Sequence, residues 1–201
     1  MSLRTMLNVL GLAASPRRGG NTDLLLEQAL AGARSSGAVT EKLLLNDLDI
    51  APCQHCDGCL YTGECIVADD MQPIHGQLRD ADRIILASPI FFMGLTAQAK
   101  AMVDRCQAMW VEKFILKVRR TPGRDGGRRR GLFIAVGGMK RSDLFDPARA
   151  TVKAFFATCD VVYGEELLYR GVDLARAIIG HPSAMKEAFG AGARLVAPPE
   201  G

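Results

Sequence analysis

MLNVLGLAASPRRGGNTDLLLEQALAGARSSG, residues 6–37, decides the fold. Met6–Ala13 is a short, nearly all-apolar run, the pattern of a strand buried on both faces. SPRRGGN follows as a loop. Thr22–Ser35 then reads as a helix, with Leu25, Leu26, Ala29, Leu30 and Ala33 at helical spacing and Gly37 just past its end. Strand, glycine-bearing loop and helix together are the opening of a β-α-β unit. Working outward, the same alternation repeats. Thr40–Leu45, Arg83–Ala87, Leu132–Val136 and Val161–Leu168 read as further strands. A helix follows Asp69, which is placed to cap it with Gln72 completing a capping box, and which carries Met71, Ile74 and Leu78 on one face. Another helix runs from a Thr96 cap through Ala99, Met102, Val103, Cys106, Met109 and Trp110, with Lys100 and Asp104 paired on its other side. Pro147–Thr158 and Ser183–Val196 complete the set. Five strands alternating with helices predict an α/β protein with a parallel sheet, and right-handed crossovers place helices on both faces. Ligands of such sheets bind outside the carboxyl ends of the strands. The loops after strands one, three and four are therefore expected to converge.

The 201 residues suffice for one core, so residues 1–201 read as a single domain with a cysteine-rich insertion at about 46–68. Apolar residues make up 48% and charged residues 23%, and the net charge is +3, which gives no case for a nucleic-acid partner. No apolar run approaches the ~20 residues that span a bilayer. Arg4 ahead of Met6–Ala14 has the outline of a short secretion signal. Asn8 interrupts that run, however, and Ser15-Pro16-Arg17-Arg18 follows it directly. A cytoplasmic location without membrane partners is expected.

The loop after the first strand, Ser15-Pro16-Arg17-Arg18-Gly19-Gly20-Asn21-Thr22, has the makings of an anion site. Backbone N–H groups and the dipole at a helix N-terminus attract negative charge. Gly19 and Gly20 let main chain approach closely, Ser15, Asn21 and Thr22 offer short polar side chains, and Arg17 or Arg18 adds a charge. It is neither a Walker loop nor a dinucleotide fingerprint, because Gly-Lys-Ser/Thr and G-x-G-x-x-G are both missing. An ordinary turn with surface arginines is the competing reading. After the third strand, Pro89-Ile90-Phe91-Phe92-Met93-Gly94 puts apolar groups where water would otherwise meet them, and a flat ring such as an isoalloxazine would cover them. Gly137-Gly138 would let backbone amides reach the ring edge. The alternative is that Phe91 and Phe92 pack under the loop or form a dimer contact.

Cys53, Cys56, Cys59 and Cys65 lie within thirteen residues in a C-x₂-C-x₂-C-x₅-C arrangement. Such density resembles the thiolate runs that hold [4Fe–4S] clusters, with Gly58 and Gly63 for turns. Tetrahedral zinc and bare reduced thiols are the alternatives, although structural zinc more often uses two separated C-x-x-C knuckles. His55 lies inside the loop, either solvated or as an outer hydrogen-bond partner of a cluster. Cys106 and Cys159 fall on apolar helix faces and read as packing residues. Arg119–Arg130 reads as a solvated, mobile loop, or else as an attractor for the phosphates of a reduced nicotinamide nucleotide.

Taken together, SPRRGGNT at 15–22, APCQHCDGCLYTGECIVADDM at 51–71, SPIFFMGLTAQAKAMVDR at 88–105, VGG at 136–138 and GVDLARAIIGHPSAMKEAFGAGARLV at 171–196 resemble the iron–sulfur flavoproteins within the NAD(P)H-dependent FMN reductase group. The resemblance implies a flavodoxin-like three-layer sandwich with a five-stranded parallel sheet in the order 2-1-3-4-5. It implies FMN at the strand ends, held by Ser15, Arg17, Asn21 and Thr22 and by Pro89, Ile90, Phe91, Phe92, Met93 and Gly94. It implies a [4Fe–4S] cluster on Cys53, Cys56, Cys59 and Cys65, and a homodimer or homotetramer with flavins near the subunit contacts. Phe91 stands where the family commonly has tyrosine, and Met93 replaces a smaller or more polar residue. The activity implied is electron transfer from NAD(P)H or a ferredoxin-type donor to a small acceptor, with no catalytic side chain of the protein's own. A clusterless FMN, quinone or azo reductase and a non-enzymatic flavodoxin-like carrier are the rival functions.

Overall fold

In a computed structural model of the chain, which describes residues 6–118, 120 and 122–198, the first apolar run lies in the sheet interior as β1 (Asn8–Ala13). Arg4, Arg119 and Thr121 lie outside the described residues. From β1 the chain continues through α1 (Asn21–Ser35), β2 (Val39–Leu44), α2 (Met71–Asp80), β3 (Arg83–Pro89), α3 (Ala97–Arg105), α4 (Gln107–Trp110), β4 (Arg130–Gly137), α5 (Asp146–Thr158), β5 (Val162–Arg170) and α6 (Ala184–Val196). All four strand pairings are parallel and the order is β2-β1-β3-β4-β5. The flavodoxin-like architecture expected from the alternation is therefore the one observed. Alternate residues of the central strands feed two cores. Val9, Ala13, Ile85, Leu132 and Ile134 pack under α1 and α6. Leu10, Leu12, Ile84, Leu86 and Phe133 pack under α2, α3 and α5. Apolar residues on both faces are what produce the unalternating runs in the sequence.

α1 and α6 approach almost backbone to backbone. A Cβ built on Gly32 would stand 1.9 Å from the Phe189 carbonyl oxygen, and one on Gly192 would stand 1.8 Å from that of Ala29. No side chain fits at either position, so glycine is required for the two helices to seat on the sheet together.

Three expectations change in detail. The helix after the cysteine loop is capped differently, with Asp70 at its N-cap and no capping box. Asp69 does accept the Met71 N–H at 3.0 Å, but its other oxygen takes the Ala51 N–H at 3.0 Å and both oxygens bind Arg105. Burial works to raise this carboxyl, and the Arg105 guanidinium with the two N–H groups outweighs it and holds Asp69 below the ordinary range. The helix from Thr96 is not continuous to Trp110. Thr96 Oγ1 caps α3 by accepting the Ala99 N–H at 3.3 Å, the chain breaks at Cys106, α4 resumes, and a π-helical turn covers Val111–Ile115. Ala99, Met102, Cys106 and Met109 stay buried across the break, which is why spacing alone hides it, whereas Trp110 is exposed.

The third correction concerns the arginine-rich segment. Its described part is largely exposed, as a solvated loop would be, but it is anchored by its arginines and lies at the end of the sheet opposite the strand carboxyl ends. Arg129 is buried and donates to the carbonyls of Ala81 (2.6 Å), Leu78 (2.5 Å) and Cys159 (2.6 Å), so it closes the C-termini of α2 and α5 at once. Arg130 donates to the Ala197 carbonyl past α6. Arg124 binds Asp82 through its backbone N–H and Nη1, both at 2.8 Å. Asp125 pairs with Arg83, whose Nε donates to the Leu195 carbonyl at 2.8 Å. The last carbonyls of a helix have no partner within it, and a guanidinium satisfies several while opposing the dipole.

Candidate functional site

At the carboxyl edge, β1 ends in a chain that turns over itself before α1. The Arg17 N–H donates to Ser15 Oγ at 3.1 Å, and the Gly20 N–H donates to the Arg17 carbonyl at 3.2 Å. Gly19 adopts a φ of +64°, the left-handed region that favours glycine. Gly20 is the N-cap of α1 and has no side chain to offer, so the first-turn N–H groups receive no side-chain cap. The one acid of that turn, Asp23, is directed elsewhere. Its Oδ2 accepts the Gly19 N–H at 2.7 Å and its Oδ1 meets Lys42 Nζ at 2.5 Å. An uncapped helix N-terminus with its local negative charge neutralised is an anion site in waiting. Arg18 does not serve it, because its guanidinium is paired with Asp47 at 2.6 Å.

One cleft gathers the predicted loops. Ser15, Arg17, Gly20, Asn21 and Thr22 line one side; Pro89, Ile90 and Phe91 with Gly137 and Gly138 line the other. Its non-atom space is about 570 Å³, counting the open mouth. Phe92, Met93 and Gly94 do not line it. They form the tip of a tight turn in which Phe91 and Gly94 exchange backbone hydrogen bonds of 3.1 and 2.9 Å. Phe92 and Met93 both take positive φ, 48° and 64°. Such a turn ordinarily uses Asn-Gly, so two bulky residues hold strain here. Met93 tucks against the core beneath the loop, and Phe92 is fully exposed beside a half-exposed Phe91.

A fourth loop, after β5, completes the cleft with Val172, Asp173 and Ala175, which the sequence reading placed in the resembling segment 171–196 without assigning them to the site. Asn21 fixes it in place. Its Nδ2 donates to the Leu174 carbonyl at 2.9 Å, and its Oδ1 accepts the Ile178 N–H at 3.1 Å. Asn21 thus joins two loops through its amide. Arg176, at a φ of 62°, reaches over the first loop, with Nη1 3.4 Å from where a Cβ of Gly19 would be. The signal that could have found this loop is topological: β5 is parallel to its neighbours, so the chain leaving it must emerge at the same edge.

The cysteine loop forms a second cavity. Cys53, Cys56, Cys59 and Cys65 all line it, with His55 beside them and Arg105, Gln107, Ala108, Trp110 and Val111 as the opposite wall. His55 and Asp57, on either side of Cys56, have positive φ of 51° and 57°. The loop is therefore tightly wound around Cys56. Burial pushes the Cys59 thiol above its ordinary value, and the nearby sulfurs of Cys65, Cys53 and Cys56 push it further. Four thiolates in one cavity repel one another and ionise together only around a cationic centre. Among the described residues, no three Cys, His, Asp or Glu side chains converge on a point where a single ion would sit. A four-iron cluster gives each thiolate its own iron, so it asks for four thiols around a cavity. The donor set fits that demand, as does one orphaned buried donor: Arg105 Nε has no hydrogen-bond partner. Cys106 and Cys159 are buried, as expected of packing residues.

Comparison with known proteins agrees with this geometry. Residues 7–138 match the family model for NADPH-dependent FMN reductases. An iron–sulfur flavoprotein of Archaeoglobus fulgidus is 40% identical over 101 residues, 50% of this chain and 51% of that protein. An iron–sulfur flavoprotein of Methanocaldococcus jannaschii is 32% identical over 157 residues, 78% of this chain and 74% of that one. The chain spans about half the length of the first curated relatives it matches. The crystal structure of an FMN-dependent NADH-azoreductase from Bacillus anthracis in complex with FMN shares the fold, with a TM-score of 0.67 at 17% identity over 96% of this chain and all of that one. The chain belongs to the NADPH-dependent FMN reductase family, among its iron–sulfur flavoproteins.

Proposed function

We propose that the chain is an FMN-dependent oxidoreductase that takes electrons from NAD(P)H or a ferredoxin-type donor and delivers them to a small acceptor, with a [4Fe–4S] cluster in its cysteine loop. The observation that carries this reading is the single cleft at the carboxyl edge, where an uncapped α1 N-terminus faces an apolar wall. The phosphate belongs at the first-turn N–H groups, with Ser15, Thr22 and Arg17 around it and Arg176 reaching over the Gly19 turn beside them. The ring belongs against Pro89, Ile90 and Phe91, with the Gly137-Gly138 backbone at its edge. Bound FMN would supply two-electron chemistry and a bound cluster single-electron chemistry. The protein's own part is to bind, orient and exclude water; among the described residues no side chains in the cleft form an acid–base pair, and Asp173 is the one carboxylate on its wall. Fully exposed Phe92, with Trp110, Phe114 and Ile115 also exposed, supports a homo-oligomer in which a second copy covers them.

Anaerobic purification followed by iron, sulfide, zinc and flavin analysis on one sample tests the whole reading. Flavin near one per chain, with iron and sulfide near four each, is the expected result. Protein that neither carries nor takes up FMN would end the proposal. Zinc in place of iron would leave the flavin half and remove the cluster half. Cys59→Ala is expected to abolish the cluster and leave FMN bound.

A further inference from the structure

Arg105 closes α3 and is almost completely buried, at 1% exposure. Its guanidinium ties both ends of the cysteine loop together. Nη1 donates to the Ala51 carbonyl at 2.8 Å, ahead of Cys53. Nη2 reaches the Val67 carbonyl at 3.3 Å, beyond Cys65, and both terminal nitrogens bind Asp69 at 2.5 and 3.0 Å. Beneath it, the buried His75 donates from Nε2 to the Arg105 carbonyl at 3.0 Å, which fixes the backbone from which the side chain springs. A role as a staple accounts for the two terminal nitrogens and leaves Nε unexplained. That N–H is buried and has no partner, although buried donors are almost always satisfied. The cavity that Arg105 lines holds the four cysteines, Cys65 among them. Among the described residues, no other arginine lines that cavity.

We propose that Arg105 is a positioning residue for the cluster: its Nε–H donates to a cluster sulfur or to the ligating sulfur of Cys65, and this makes the cluster easier to reduce. The inference rests on the reading of the cysteine loop as a [4Fe–4S] site. Hydrogen bonds to the sulfurs are among the factors that set cluster potentials, because they stabilise the more negative, reduced state. A fixed guanidinium, already neutralised by Asp69, supplies such a bond in a defined direction.

The test uses the anaerobically prepared holoprotein grown with ¹⁵N-labelled arginine as its only label. Pulsed electron paramagnetic resonance of the reduced cluster is expected to show one weakly coupled arginine nitrogen and an exchangeable proton that disappears in D₂O. Arg105→Lys keeps the charge but cannot place a donor at Nε. It is expected to lose both couplings and to shift the cluster midpoint potential to more negative values. Asp69→Asn loosens the staple yet retains Nε. It is expected to lower cluster content while keeping the nitrogen coupling. If Arg105→Lys holds no cluster, the labelled wild-type spectrum alone decides. Iron and sulfide present without an arginine coupling, or an unchanged potential in Arg105→Lys, overturns the role of Arg105 and leaves the cluster reading intact. Wild-type protein without iron and sulfide overturns both.

Discussion

The two ends of the sheet are built on opposite principles. At the amino end of the strands, Arg83, Arg124, Arg129 and Arg130 reach the carbonyls that end α2, α5 and α6 or the carboxylates of Asp82 and Asp125. At the carboxyl end, α1 begins without a side-chain cap, a turn is held at positive φ by two large residues, and Phe92 stands fully in solvent. One end satisfies its polar groups; the other withholds partners from them. The lesson is that a scaffold spends its complementary chemistry on itself only where no ligand is due.

Four substitutions break or sharpen that contrast. The largest effect is expected from Arg129→Met, which strands the carbonyls of Leu78, Ala81 and Cys159. Unsatisfied buried groups cost about 1–3 kcal/mol each, so a loss on the order of 4 kcal/mol is expected, a drop of roughly 10 °C in the thermal midpoint. Flavin content per folded molecule should not change; if it does, the two ends are not independent. Next is Arg176→Ala at the cleft, where a roughly tenfold weaker affinity for FMN corresponds to about 1.4 kcal/mol. Fluorescence titration should show riboflavin, which lacks the phosphate, unaffected, and the apoprotein melt should barely move. Replacing Phe92-Met93 by Asn-Gly relieves the strained turn and is expected to stabilise the apoprotein by about 1 kcal/mol, while FMN binding weakens. A melt that does not rise would show that the turn is unstrained.

The smallest effect belongs to neither end. On the face between them, Arg149 holds the Glu166 carboxyl below its ordinary value; burial opposes this and the Tyr163 hydroxyl adds to it. A carboxyl lowered on folding contributes stability that is complete above its unfolded value of about 4.3 and is lost as pH falls through the folded value. Glu166→Gln should therefore be less stable than wild type at pH 7, by under about 1 kcal/mol because the pair is partly exposed, and the two should converge in acid. Denaturant melts at several pH values check it, and a constant difference across that range would contradict the assignment.

What the sequence made legible follows the same divide. β1 and α1 were readable because burial on both faces leaves an uninterrupted apolar run, and because a glycine loop before a helix has few structural uses. The cysteine spacing was readable because its chemistry is local. The arginines were not, since a guanidinium in solvent and one on a helix end have identical neighbours in sequence; the Leu78 carbonyl is 51 residues from Arg129. The loop of Asp173 and Arg176 lies in the 171–196 segment that carries part of the family resemblance, but its composition assigns it no role, and only the position of β5 in the sheet brings Asp173 to the cleft. Residues 92–94 were assigned to the cofactor from their neighbours in sequence, whereas the turn directs Phe92 outward and Met93 inward.

The close approach of α1 and α6, with Gly32 against Phe189 and Gly192 against Ala29, carries one more consequence. It joins the helix that starts at the first loop to the helix that follows the last loop, across 160 residues of chain. A ribosome that has released β1 to β4 has made the phosphate loop but neither the helix that braces α1 nor the Leu174 carbonyl and Ile178 N–H that Asn21 holds. A nascent chain stalled before Ala184 is therefore expected to emerge unable to retain a flavin, which flavin fluorescence of the stalled complex would check.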